Sequence, residues 1–447
     1  MLSSELIALS AAEAAARIRR GEVTSEELVR ACLDVVAARE PEIGAWTFLD
    51  SDYALAQARE ADAIRAQGRA VGPLHGVPVG IKDIIETEDM PTENGCPIFA
   101  GRRTGRDAAV VARLREAGAL IMGKTVTTEM AVYHPGKTRN PHRLTHTPGG
   151  SSSGSAAAVA AHMVPLSLGT QTNGSVVRPA SFCGVYGLKP TYGLFSRRHV
   201  LVQSPPLDTV GVFARSVEDL ALAADVLSVH DEADSAMWRR SRSSHHQVAM
   251  EEPPLPPVLG FVKGPVWGEA AEVTKEAFAE LADCLGVHCE EVALPASFDG
   301  IIQMHADIML ADIARHFGPL AEQGPDKLSE RLLGMIEAGR RVTAIAYNNA
   351  REHQQLLYRV LESCFDRYVA LITPSAQGPA PEGIASTGSP AFCTLWTFLG
   401  TPAVSLPLLE ADGLPLGVQL VGPLRDDARL LRTARWLVDH LATASGE

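Results

Sequence analysis

The sequence predicts an α/β fold in which a large mixed β-sheet core is covered by helices on both faces. Short continuous apolar runs such as "ALIMGK" and "VPLSLGT" fit strands buried on both sides, where polar alternation is lost. Helical stretches such as "AAVVARLREAG" and "SAAAVAAHM" separate these runs, as a helix-covered sheet requires. A chain of 447 residues, 46% of them hydrophobic, can bury one large core or two fused lobes.

Each part of the chain fits that reading in turn. Residues 1–70 form a helical lead-in: "AAEAAARIRRG" closes on Gly21 as a C-cap would, and Thr24 to Glu27 makes a capping box that opens "SEELVRACLDVVAARE". Residues 71–228 carry the alternation of apolar runs and helices. Residues 229–370 are variable and largely helical, with two long helical stretches near 300 to 365. Within them, 229–256 lose periodicity and read as a surface connector or mobile insertion. Residues 371–447 return to the sheet through "YVALITPSA" and "GTPAVSLPL", so residues 1–447 are expected to form a single domain.

Composition narrows the function classes. The formal charge is -13 and no stretch concentrates lysine and arginine, which argues against a nucleic-acid or anionic-membrane footprint. No window offers an uninterrupted apolar run long enough to span a bilayer, and the seven cysteines are scattered without a Cys-x-x-Cys pair. A soluble cytoplasmic protein with reduced thiols is the expectation.

Several motifs bear on chemistry. "GALIMGKT", Gly118 to Thr125, matches a phosphate-loop pattern, but its middle is a strand-like apolar run where a turn is required. Gly150 to Gly154 in "GGSSSGS" matches a G-x-S-x-G elbow, yet no buried strand lies just upstream. A Gly/Ser linker is the plain alternative, opposed by the Ala-rich helix that follows at once. Lys82 is a lone cation in the apolar "GVPVGIKDII". Solvent exposure at a strand end is the ordinary reading, whereas burial would disfavour its ammonium form and make a base of it. Finally, Ser175 in "GTQTNGSVVRPA" has neither histidine nor aspartate nearby to activate it.

The order of these signals resembles the amidase signature family. It is carried by "GPLHGVPVGIKDII", "TPGGSSSGSAAAVAAHMVPLSLGTQTNGSVVRPASFCGVYGLKPTYG" and "GTPAVSLPL...GLPLGVQLVG", nearly the whole chain apart from 229–370. The resemblance implies the amidase signature fold and hydrolysis of the C–N bond of a small carboxamide through an acyl-enzyme, without metal or cofactor. It places the nucleophile at Ser175, a bridging serine on a cis peptide at Ser151, and the base at Lys82. A neutral lysine can take a proton through a second hydroxyl, which is sound chemistry on its own terms. The backbone N–H groups of Thr172, Asn173, Gly174 and Ser175 would then form the oxyanion hole.

The chain departs from the family's common Gly-Thr-Asp-x-Gly-Gly-Ser-Ile-Arg-x-Pro. Gln171 replaces the acid, Asn173 replaces a glycine, and the arginine lies one place later, at Arg178. This variant is similar to that of malonamidases, in which the arginine holds the substrate's free carboxylate. The resemblance thus assigns Arg178, with Gly150 and Gln171, to substrate binding and points to a malonamate-like substrate. A structural salt bridge from Arg178 to Asp208 or Glu129 is the alternative. The expected partner is a small-molecule amide, with no nucleic acid and no membrane, and the family suggests a homodimer. Two other functions fit the same signature: the glutamine-hydrolysing component of a tRNA-dependent amidotransferase, which needs a partner chain, and an amidase for a larger neutral or aryl amide. Supporting roles are expected for Asp83 and Lys189, packing for His142, His146 and His162, and core positions for Trp396 and Phe398.

Overall fold

The computed structural model describes residues 3–239, 241 and 244–445. Its centre is a mixed sheet of eleven strands among the described residues: β1 (Trp46–Leu49), β2 (Pro78–Lys82), β3 (Leu120–Thr125), β4 (Leu166–Gln171), β5 (Tyr186–Lys189), β6 (Thr209–Ala214), β7 (Leu259–Val262), β8 (Cys289–Val292), β9 (Ala370–Pro374), β10 (Ala403–Ala411) and β11 (Leu414–Val421). Their order across the sheet is β1-β3-β2-β4-β6-β5-β10-β11-β9-β7-β8. The pairs β2–β3, β2–β4, β7–β8 and β7–β9 are parallel, and the other neighbours are antiparallel. Every residue of β2, β3, β4, β6 and β9 is buried, which explains why these strands read as unbroken apolar runs.

The lead-in forms the expected helices. Ala11–Arg20 ends on Gly21 at φ 75°, and Ser25–Ile43 opens with the Thr24–Glu27 capping box. It also contains something unforeseen, the edge strand β1, which pairs antiparallel with β3. Four residues with one buried side chain at Trp46 leave too little pattern to be read from sequence.

Residues 229–256 differ from the expectation of a loose connector. Asp231 and Asp234 pair with Arg198 and Arg197, and a helix, His245–Met250, is capped by Ser244 and tied to Asp225. Residues 240, 242 and 243 of this stretch lie outside the described residues. Further on, the long helical stretches resolve into three helices, Ile301–Gln323, Glu330–Arg340 and Ala344–Glu362. They build a second apolar cluster, with Phe298, Ile308, Phe317, Leu332 and Leu357 packed against Trp396 and Phe398.

Candidate active site

Parallel neighbours bring their carboxyl ends to the same edge of a sheet, where open α/β folds hold ligands. β2 ends on Lys82 and its parallel neighbour β4 ends on Thr170 and Gln171. Lys82 has no exposed side chain; its Nζ lies 2.7 Å from Ser151 Oγ and 2.8 Å from Thr170 Oγ1. Burial drives its ammonium pKa well below the usual lysine value, opposed only in part by the Asp208 carboxylate. An amine held neutral against a hydroxyl can accept that hydroxyl's proton.

The serine cluster is not a linker, because its hydroxyls sew the loop onto β4. Ser152 Oγ donates to Thr170 O at 3.2 Å, Ser155 Oγ to Leu168 O at 2.9 Å, and Ser153 Oγ to Gly149 O at 2.9 Å. The helix Ser153–Ala160 follows, and at Gly154 any Cβ would sit 2.2 Å from the Ala45 carbonyl oxygen. The Gly150–Ser151 peptide is cis, and Ser151 faces Lys82. This hydroxyl contact, and not a G-x-S-x-G elbow, is the chemical content of the motif. Gly118 to Thr125 likewise forms no phosphate loop: it enters β3, and Lys124 is buried against Asp83 at 3.4 Å and Thr92 Oγ1 at 2.6 Å.

Beyond β4 the chain turns through 172–176 into the helix Val177–Cys183. Ser175 is 8% exposed and its hydroxyl makes no hydrogen bond among the described residues. The backbone N–H groups of Thr172, Asn173, Gly174 and Ser175 likewise have no acceptor among the described residues, although all four residues are buried. Buried N–H groups rarely go unpaired, so four in one turn are available to a ligand oxygen. Gln171 braces this turn: its Oε1 accepts from Val176 N and Val177 N, and its Nε2 donates to Thr397 Oγ1. Both ends of its amide are engaged by protein groups, a loop-holding arrangement in which one of the two Nε2 hydrogens is used. Asn173 is held by Thr394 and Tyr133 through its side chain.

Arg178 is 1% exposed, and no acidic group pairs with it among the described residues. The expected alternatives fail for a definite reason. Asp208 is occupied by Thr172 Oγ1 at 2.6 Å and by the N–H groups of Gln203 and Ser204, while Glu129 is occupied by Ser329. Arg178 Nη2 donates to Gly150 O at 2.7 Å and to Thr387 Oγ1 at 3.2 Å, and its Nε and Nη1 have no partner. A buried guanidinium with two free N–H sites, joined to the serine loop through Gly150, suits a planar anion. Gly150 itself contributes its carbonyl to this contact.

The remaining candidates are placed as supports. Asp83 accepts from Glu93 N and pairs with Lys124; Lys189 Nζ donates to the carbonyls of Pro190 and Thr401. His142, His146 and His162 contact Cys183 O, Thr145 Oγ1 and Ile7 O. Sequence reasoning missed Thr170, Tyr133, His305, Thr387, Thr394 and Thr397, and it named Asp208 only as a possible partner of Arg178. Only Thr170 carried a signal, standing five residues before Ser175 at the end of a buried strand.

A buried lysine against one serine, with a second serine and a turn of N–H groups without acceptors just past the end of β4, suits the hydrolysis of an amide. The chain belongs to the amidase family: that family's model matches residues 27–431, and the protein acts as a hydrolase of amide C–N bonds. It is 35% identical to the A component of the glutamyl-tRNA(Gln) amidotransferase of Chloroflexus aurantiacus, covering 96% of both chains, and 35% identical to that of Symbiobacterium thermophilum, covering 94% and 95%. Among solved structures, it matches a chain from a vestigial protein complex bearing on the origins of an s-triazine catabolic enzyme, with a TM-score of 0.90, 28% identity, and coverage of 96% and 98%. It also matches the peptide amidase of Stenotrophomonas maltophilia, with a TM-score of 0.83, 29% identity, and coverage of 97% and 96%. These names correct one expectation. The curated relatives are subunits of an amidotransferase named for a tRNA, so a chain meeting only a small amide, alone or as a homodimer, is not what the relatives support. Among the described residues, no helix is long and apolar enough to cross a membrane.

Proposed function

We propose that this chain is the amide-hydrolysing component of a multi-chain cytoplasmic assembly, releasing ammonia from the side-chain carboxamide of glutamine. Ser175 Oγ attacks the amide carbonyl while its proton passes through Ser151 to neutral Lys82. The oxyanion is received by the N–H groups of Thr172 to Ser175, and the C–N bond breaks as the relay returns a proton to the leaving nitrogen. Water then enters by the same route and hydrolyses the acyl-enzyme. The observation that carries the substrate side is the unpaired Arg178 guanidinium, which fits the free carboxylate of an amino acid. The assembly side is supported by the amidotransferase relatives.

A second reading shares the chemistry. A short carboxamide acid such as malonamate fits the same guanidinium, and Gln171 with the displaced Arg178 favours it. The test is ammonia release from glutamine, malonamate and propionamide at matched concentrations. A preference of about 100-fold or more for either acid over propionamide supports Arg178 as the carboxylate site, and which acid leads decides between the readings. Equal rates on all three would return Arg178 to a structural role.

A further inference from the structure

The four N–H groups of this turn belong to the backbone, so truncating their own side chains cannot test them. Their direction is nevertheless fixed from behind. In a planar trans peptide, the carbonyl of one residue and the N–H of the next point opposite ways, so whatever pins the carbonyl aims the N–H. Three successive carbonyls of this loop are pinned. Thr172 O accepts from His305 Nε2 at 2.9 Å, Asn173 O accepts from Thr397 Oγ1, and Gly174 O accepts from Arg178 N at 3.0 Å. The N–H groups thereby aimed are those of Asn173, Gly174 and Ser175.

His305 comes from the helix Ile301–Gln323, 133 residues away in sequence, and is 1% exposed. A carbonyl only accepts, so the imidazole proton sits on Nε2. Burial pushes the ring's pKa down to about 4, which keeps it neutral with that single proton. Two turns further along the same helix face, Asp312 Oδ2 accepts from Ser204 Oγ at 2.7 Å. Ser204 N donates to Asp208 Oδ2 at 2.9 Å, and Asp208 Oδ1 accepts from Thr172 Oγ1 at 2.6 Å. The helix thus holds the Thr172 carbonyl directly through His305, and the Thr172 hydroxyl is linked to the same helix only through Asp208, Ser204 and Asp312.

We infer that His305 is a positioning residue of the oxyanion hole, acting through the Thr172 carbonyl to aim the Asn173 N–H at the reacting oxygen. The inference rests on Ser175 being the nucleophile. It gives the helical part of the chain a role in turnover that its apolar packing alone does not.

The experiment compares His305→Phe, which keeps a ring but removes the donor, with His305→Gln, whose amide restores an N–H, on the faster of glutamine and malonamate. Loss of a whole oxyanion donor costs about 100 to 1,000-fold in turnover, so misaiming one is expected to lower kcat about 10 to 100-fold. KM should stay within about threefold, because the interaction strengthens only in the transition state. His305→Gln should recover most of kcat. Phe317→Leu, buried farther along the same helix, serves as a stability control that lowers Tm and leaves kcat unchanged; His305→Met replaces His305→Phe if the larger ring prevents folding. Unchanged kcat in His305→Phe, or equal losses in the Phe and Gln variants, would overturn the inference. Ser175→Ala run in parallel separates the two levels: an inactive Ser175→Ala beside a fully active His305→Phe sinks only the positioning role, whereas an active Ser175→Ala sinks the nucleophile and the inference with it.

Discussion

Two lysines sit one strand apart, Lys82 ending β2 and Lys124 in β3, and neither exposes its side chain to solvent. Their surroundings differ in kind. Lys124 has a carboxylate, Asp83, at 3.4 Å, together with Thr92 Oγ1 and the Pro91 carbonyl. Burial lowers its pKa to about 8, with Asp83 opposing the fall, while burial raises Asp83 to about 6. Lys82 has only hydroxyls within reach, and burial lowers its pKa well below the ordinary lysine value. Equal burial therefore leaves Lys124 beside a carboxylate that suits a structural cation, and Lys82 beside hydroxyls, where a neutral amine can accept a proton.

The sharpest way to break this comparison is to remove each lysine alone. Lys82→Met should lower kcat by about 100 to 10,000-fold, the usual worth of a general base, with the fold intact. Lys124→Met should keep kcat within about tenfold of the parent and lose about 3 kcal/mol of stability, because Asp83 is left buried without its cation. Steady-state kinetics and urea unfolding of the two variants give both numbers. Similar profiles for the two would erase the distinction.

A second substitution sharpens the Lys124 half. Asp83→Asn added to Lys124→Met removes the stranded carboxylate, so about 1 to 2 kcal/mol of the lost stability should return. A double variant weaker than the sum of its parts would show that Asp83 serves the Glu93 backbone contact more than the lysine.

Stability against pH separates the two lysines again. The folded pKa of Lys82 lies below its unfolded value, so between the two the unfolded chain binds a proton that the folded chain does not. Stability then rises with pH across that window. Lys82→Met escapes this penalty and should be the more stable protein at pH 7, by a margin that shrinks toward pH values near the ordinary lysine pKa. A margin that is constant with pH would mean that Lys82 is charged in the fold.

How much of this was legible depends on the range of the contact. The strands around the site announced themselves as apolar runs, and Lys82 stood out as a lone cation in one of them, whereas the roles of Ser151 and Ser175 came from the order of motifs that resembles a family. The caps at Gly21 and Thr24 are local as well. Arg178 was legible as a cation near the serine, but its partner was not: Asp208 and Glu129 are acids of suitable position, and only the fold shows hydroxyl and N–H groups already occupying them. His305 lies in a helix where a buried histidine reads as core, and nothing in the sequence connects it to a loop 133 residues earlier.

Asp208 tests the finest point of the comparison, since its charge raises the pKa of Lys82 against the effect of burial. It stands farther off than a direct partner and contacts Thr172 and the Gln203–Ser204 backbone, not the lysine. In Asp208→Asn, the amide oxygen can still accept from the two backbone N–H groups while its nitrogen faces the Thr172 hydroxyl, which can turn to accept. The loop should therefore hold, and the plateau value of kcat/KM should fall by no more than about tenfold. Removing the negative charge lowers the pKa of Lys82 further. Activity requires neutral Lys82 and falls as pH drops below that pKa, so the acid limb of the kcat/KM profile should move to lower pH in the variant. A limb that stays in place would assign it to another group, and a limb that moves upward would reverse the sign of the coupling on which Lys82 as base depends.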